Sequence, residues 1–168
     1  MKPARNPAAR PRERGAVAIE TAFMILLLTT FLGLSSVTLA IYFYQYSAAQ
    51  KAAHDAALYL STAPRMEMTT AGPDGSPAAL GLARKIIVAE MTGRIPFRAT
   101  LEPGFSCGYR QTSGSISQKP CTTTNNQIAT QVLTQIYVSL DLPFVNPFTG
   151  RDLGWMITSY IPVRYLGN

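Results

Sequence analysis

The chain has 168 residues, 47% of them hydrophobic and 14% charged, which leaves room for one compact domain and an anchoring element. Its net charge of +6 would suit a nucleic-acid binder only if it were spread over a folded face. Instead Lys2, Arg5, Arg10, Arg12 and Arg14 against Glu13 put +4 of the +6 into residues 1–15, and no basic helix or basic–aromatic patch follows, so no nucleic acid is expected as a partner.

Residues 1–15 read as a basic leader. Lys and Arg resist transfer across a membrane, so this flank marks the cytoplasmic side and sends the C-terminal part outward. From Thr21 to Gln50 there is no Asp, Glu, Lys, Arg or His. Within that stretch AFMILLLTTFLGLSSVTLAIYFY (22–44) is long enough to span, since a helix needs about 20 apolar residues to cross roughly 30 Å of hydrocarbon. An ordinary secretory signal has a core of only about 7 to 15 residues. The small residues of SAAQ, Ser47 to Gln50, imitate a cleavage site near Ala49 but come after a complete span. An uncleaved signal anchor accounts for everything except Glu20: a carboxylate near a helix end is tolerated by reaching toward the interface, but an anchor gives no reason to have one.

A cut between Gly15 and Ala16 supplies the reason. Ala16 would gain a free α-amine at the start of a helix, and Glu20 lies one turn on along the same face. Amine and carboxylate can then pair, within one chain or between neighbours, and a carboxylate near a helix N-terminus also meets the backbone dipole favourably. Gly15, Ala16 and Glu20, in RGAVAIE ahead of a long apolar helix, resemble the processing site of type IV pilins and pseudopilins: a basic leader ending in Gly, cleavage after it, and Glu at the fifth mature position. The form is most similar to the TadE-like minor pseudopilins of the tight-adherence (Flp, type IVb) system, departing from it in having Thr21 after the glutamate. The resemblance implies a minor pilin or pseudopilin, cut by a prepilin peptidase, that works with other pseudopilins and pilus assembly components at the inner membrane in pilus assembly and surface attachment. Its exported domain would be periplasmic or extracellular.

Farther along, Tyr42, Phe43, Tyr44 and Tyr46 cluster where the apolar run ends, as aromatic residues do at a membrane–water interface. Helical composition continues to Pro64, so one helix is expected over 16–63, half membrane and half stalk. Ala48, Ala52 and Ala56 form one small-residue ridge and Ala49, Ala53 and Ala57 its neighbour. Such ridges permit close helix approach, and equally they reflect the helix propensity of Ala. A Gly/Pro linker fills 64–77. Ser76 and Pro77 read as N-cap and first turn of a second helix, with Leu80, Ala83, Ile87 and Met91 on one face, Leu82 and Ile86 beside it, and Gly93 as its stop. Arg84, Lys85 and Glu90 read as a solvated face.

Three strands are expected in the exported domain, 78–168. The first is IPFRATLE (95–102). The second is QIATQVLTQIYVSLDLPF (127–144), with Ile128, Val132, Ile136, Val138, Leu140 and Leu142 at alternate positions. The third is WMITSYIPVRYL (155–166), placed at an edge by Pro162. The fold class is thus α+β, a long transmembrane and stalk helix followed by a small antiparallel sheet with one helix, Trp155 and Phe148 in its core. Cys107 and Cys121 both fall on the expected outer side, where oxidation is permitted. As the only two cysteines they allow one intramolecular disulfide, whose closed loop contributes on the order of 3 kcal/mol by the loop-entropy account. Free thiols are the alternative, and zinc would lack its other ligands.

No catalytic or metal-binding constellation emerges. His54, the sole histidine, adjoins Asp55, but neighbouring helix residues do not face each other, so it reads as solvent-facing. With no nucleophile–base pair, phosphate loop or metal spacing, the chain is read as a structural protein without cofactor or metal. The rivals are an uncleaved single-span protein presenting a periplasmic binding domain, and a secreted enzyme cut near Ala49.

Overall fold

The computed structural model describes residues 12–93, 101–146 and 148–167, with side chains from residue 17 onward. Lys2, Arg5 and Arg10 of the leader, and most of the strand expected over 95–102, lie outside these residues. The chain divides into two units, Met1–Ala40 and Ile41–Asn168.

Helix α1 (Arg12–Thr62) begins earlier than the expected start at Ala16 and is continuous for 51 residues. In the first unit every described side chain from Val17 to Val37 is exposed, and apolar residues ring the helix rather than forming a stripe. Hydroxyls inside this apolar stretch need partners there. Thr21, Thr29, Thr30, Ser35, Ser36 and Thr38 each donate to the carbonyl one turn back, at 2.7–2.9 Å. The segment is one helix long and apolar enough to cross a membrane.

The second unit contains the rest of α1, then α2 (Arg65–Thr69), α3 (Ala78–Met91), β1 (Pro103–Gln111), β2 (Ile116–Pro120), α4 (Thr123–Gln127), β3 (Gln131–Val145) and β4 (Asp152–Arg164). It is α+β with an antiparallel sheet, as expected, but the sheet has four strands rather than three, in the order β2-β1-β3-β4. The additional strand is ISQKP, too polar to show an apolar alternation. It pairs with β1 because the residues between them fold as a hairpin turn, Gln111 N–H donating to the Ser115 carbonyl at 2.9 Å. The first strand is also displaced: Leu101 and Glu102 precede it, and β1 starts at Pro103.

One layer of helices covers one face of this sheet. Ala49, Ala52, Ala53, Ala56, Ala57 and Leu60 have no exposed surface and share a core cluster with Ile87 of α3 and Ile136, Val138 and Leu140 of β3. Both alanine ridges are therefore packing surfaces, which decides between the two readings of that spacing. The stretch read as a stalk is the spine of the second unit. Leu80, Ala83, Ile87 and Met91 of α3 are buried as their spacing requires, while Leu82 remains exposed. Pro77, not Ser76, occupies the N-cap, because the Ser76 hydroxyl is engaged in the preceding turn, donating to Asp74 Oδ1 at 2.8 Å. Gly93, at φ +79°, ends the helix.

The alternation expected along β3 holds from Ile136 to Leu142 and fails before it. Gly108 faces Gln135 while Tyr109 faces Leu133, so Thr134 is an extra residue, a β-bulge. One inserted residue inverts the alternation, turning Leu133 and Gln131 inward and leaving Val132 64% exposed. Ile128 falls before the strand altogether. Pro162 lies in β4, which is an edge strand, as its missing N–H requires. Trp155 and Phe148 are not in the core: they are 48% and 58% exposed. Phe148 lies between β3 and β4, and Trp155 lies near the start of β4.

Candidate assembly segment

Gly15, Ala16 and Glu20 all lie within α1. The Gly15–Ala16 bond is thus helical in the intact chain, and Gly there costs the helix about 1 kcal/mol relative to Ala, which eases local unwinding. Helical periodicity sets Glu20 one turn after Ala16 on the same face. Glu20 is exposed, with Ile19 and Phe23 also exposed beside it, and makes no ion pair among the described residues. A carboxylate thus stands in an apolar girdle with no partner supplied by the described part of its own chain.

The aromatic cluster begins where the girdle ends. Tyr42 and Tyr46, one turn apart, stack at 6.5 Å, and the Tyr42 ring meets Phe144 edge-on at 5.4 Å and Trp155 at 6.1 Å. Phe144 and Trp155 stack at 5.9 Å. The Phe43 ring meets Tyr42 edge-on at 5.9 Å, and both Phe43 and Tyr44 are exposed. Residues 15–58 match the TadE-like protein family.

The N-terminal segment is similar to that family. The match begins at the glycine of the expected processing site and ends inside α1, so it covers the apolar run, the aromatic cluster and both alanine ridges, and stops before the sheet. It supports involvement in the tight-adherence pilus system and, with the apolar helix, a single-pass membrane protein. Comparison with curated proteins and with solved structures returned no match.

Beyond the TadE-like segment, Cys107 and Cys121 form a disulfide, both buried, with Cα atoms 5.0 Å apart. It joins β1 to the residue after β2 and so fixes the start of α4, where the Thr122 hydroxyl accepts from Asn125 N–H at 3.1 Å. The same corner holds a buried node that the sequence does not announce. Tyr109 donates to Asn126 Oδ1 at 2.6 Å, and Asn126 Nδ2 donates to the Met68 carbonyl at 2.6 Å. Burial pushes the Tyr109 hydroxyl up to about 12.

His54 is exposed, and its neighbour Asp55 pairs with Lys51 at 3.3 Å instead of with the imidazole. Lys51 also meets Glu90 at 2.7 Å, so Glu90 ties α3 to α1 rather than standing on a purely solvated face. Arg84 is exposed and reaches Asp74 at 3.0 Å. Among the described residues no group of His, Cys, Asp and Glu is arranged to hold a metal ion.

Proposed function

We propose that this chain is a minor pseudopilin of the tight-adherence pilus, cut by a prepilin peptidase after Gly15 and held in the inner membrane by α1, N-terminus cytoplasmic and sheet domain outside. The observation that carries this reading is the coincidence of Gly15, Ala16 and Glu20 with the start of the TadE-like match and of an apolar helix exposed on every side. Cleavage creates an amine that Glu20 can accept, in its own chain or a neighbour's, and low dielectric makes an unpaired carboxylate select that partner. The buried disulfide is consistent with an oxidising compartment for the second unit. The chain then acts as a structural component in pilus assembly and surface attachment, with the prepilin peptidase and other pseudopilins as its partners.

The intact mass of protein extracted from membranes tests the reading. The expected mature N-terminus is Ala16, and Gly15→Leu should leave full-length precursor in the membrane. A wild-type chain that retains Met1, with an active prepilin peptidase present, would return the protein to the class of uncleaved single-span anchors.

A further inference from the structure

We propose that a cleft at the open end of β3 binds an acidic peptide segment of a partner protein, extended along residues 131–133 with a Glu or Asp carboxylate held by Arg65 and Arg164. The cleft has a volume of about 290 Å³, and every residue that lines it belongs to the second unit. The site is therefore independent of where α1 is cut.

Unequal strand lengths open it. β3 starts at Gln131, but its register with β4 begins only at Gln135, opposite Arg164. Past that pair Tyr165 N–H donates to the Thr134 carbonyl at 2.9 Å, and the chain then leaves the sheet for the end of α1, where Leu166 N–H meets the Ser61 carbonyl. Gln131, Val132 and Leu133 therefore have β1 on one side and no strand on the other. Arg65, Met68 and Thr69 of α2 form a facing wall. An unpaired length of strand edge is a template for a further extended chain.

The charge of the occupant follows from what the walls leave unspent. Their neutral polar side chains are already committed: Asn126 to Tyr109 and the Met68 carbonyl, Gln131 to Lys119 and the Asn125 carbonyl. The Thr134 hydroxyl donates to the Gly108 carbonyl at 3.1 Å, and the Tyr165 hydroxyl to that of Ala63 at 2.9 Å. Arg65 and Arg164 are exposed and make no ion pair or side-chain hydrogen bond among the described residues. Burial pushes the Tyr165 hydroxyl up and the Arg65 charge opposes the shift, so that charge acts on the cleft wall. No Asp or Glu lines the cleft. Two positive, donor-only forks thus remain, and their planar geometry matches a carboxylate. A free anion would use the charges alone. An extended peptide also uses the open edge of β3 and the exposed Val132 side chain. The volume lies near the lower end of the roughly 300–1,000 Å³ of small-ligand sites, which suits a short segment.

A library of short random peptides, selected on the full chain in detergent, tests the proposal. Selected sequences should be enriched in Asp or Glu flanked by residues of high strand propensity, and a selection without acidic enrichment would overturn it. A selected peptide is then labelled and titrated by fluorescence polarisation. Replacing its acid by the matching amide should weaken binding about tenfold or more, the usual worth of a hydrogen bond to a charged group. Equal affinity of acid and amide would overturn the carboxylate site, and this comparison needs only the wild-type chain. The charge-reversed variant Arg65→Glu, Arg164→Glu, with folding checked by its thermal midpoint, should reject the acidic peptide and select Lys or Arg instead. An unchanged selection there would place the acid elsewhere and sink the assignment. Inorganic phosphate should compete only weakly. Phosphate that binds as tightly as the peptide would assign the cleft to a free anion rather than to a protein partner.

Discussion

Glu20 stands exposed among apolar side chains that surround α1 on every side. An unpaired charge at the centre of a membrane helix costs about 2.5–3.5 kcal/mol on insertion scales, and less near the end, where Glu20 lies. That cost becomes selectivity if a mature Ala16 amine docks beside it. Glu20→Gln is therefore expected to insert no worse than wild type and to be cleaved largely as before, yet to recover less partner pseudopilin on co-purification. Recovery is normalised to cleaved protein, and equal recovery with normal piliation would mean that the carboxylate is only tolerated.

At the scale of elements, α1 changes character along its length without a break in its hydrogen bonding. Before Ala40 its apolar side chains are large and exposed, and from Ala48 onward its inward face is nearly all Ala. A small-residue face lets the backbone approach its neighbours closely, so added volume has nowhere to go. Ala53→Leu should destabilise the second unit by about 1–3 kcal/mol through overpacking. His54→Ala, on the exposed side of the same turn, should stay within about 0.5 kcal/mol of wild type. Thermal unfolding of the full chain in detergent measures both, and equal effects would show that the alanine ridges are not a tight contact.

Across the second unit as a whole, specific ties close the corner where α2, α4 and the sheet meet. They include the disulfide and the chain of hydrogen bonds from Tyr109 through Asn126 to Met68, joined by Gln127 Nε2 donating to the Thr69 carbonyl at 2.9 Å. The segment after β4 is also tied back to the end of α1: Leu166 N–H donates to the Ser61 carbonyl at 2.8 Å, and the Tyr165 hydroxyl to that of Ala63 at 2.9 Å. Tyr109→Phe would leave Asn126 Oδ1 buried without its donor, costing about 1–3 kcal/mol. Because burial raises the folded Tyr109 hydroxyl from 10.0 to about 12, its contribution is complete below the unfolded value and is lost as pH rises through the folded one. The stability difference between wild type and Tyr109→Phe should accordingly be constant at neutral pH and shrink from pH 10 toward about 12. Denaturant unfolding at stepped alkaline pH checks it, and a difference that grows there would assign the loss to another group.

What the sequence determined by itself is local or periodic: the apolar run and its length, the alanine ridges, the inward face of α3, the central alternation of β3, and Gly15, Ala16 and Glu20 at their spacing. Each depends on the period of one element, and the position of the charge, +4 of +6 in residues 1–15, gave no reason to expect a basic nucleic-acid surface. The tertiary structure decided what depends on pairing between distant segments. ISQKP became a strand because β1 lay beside it, although its polar residues carry no strand period. Val132 was turned outward by one extra residue opposite β1, a register effect that alternation within a single strand cannot reveal. Trp155 and Phe148 look like core residues by type, yet they are 48% and 58% exposed, while Phe144 nearby is fully buried. Whether a large aromatic is buried depends on which element reaches it, and that is a property of the assembled layers rather than of the residue.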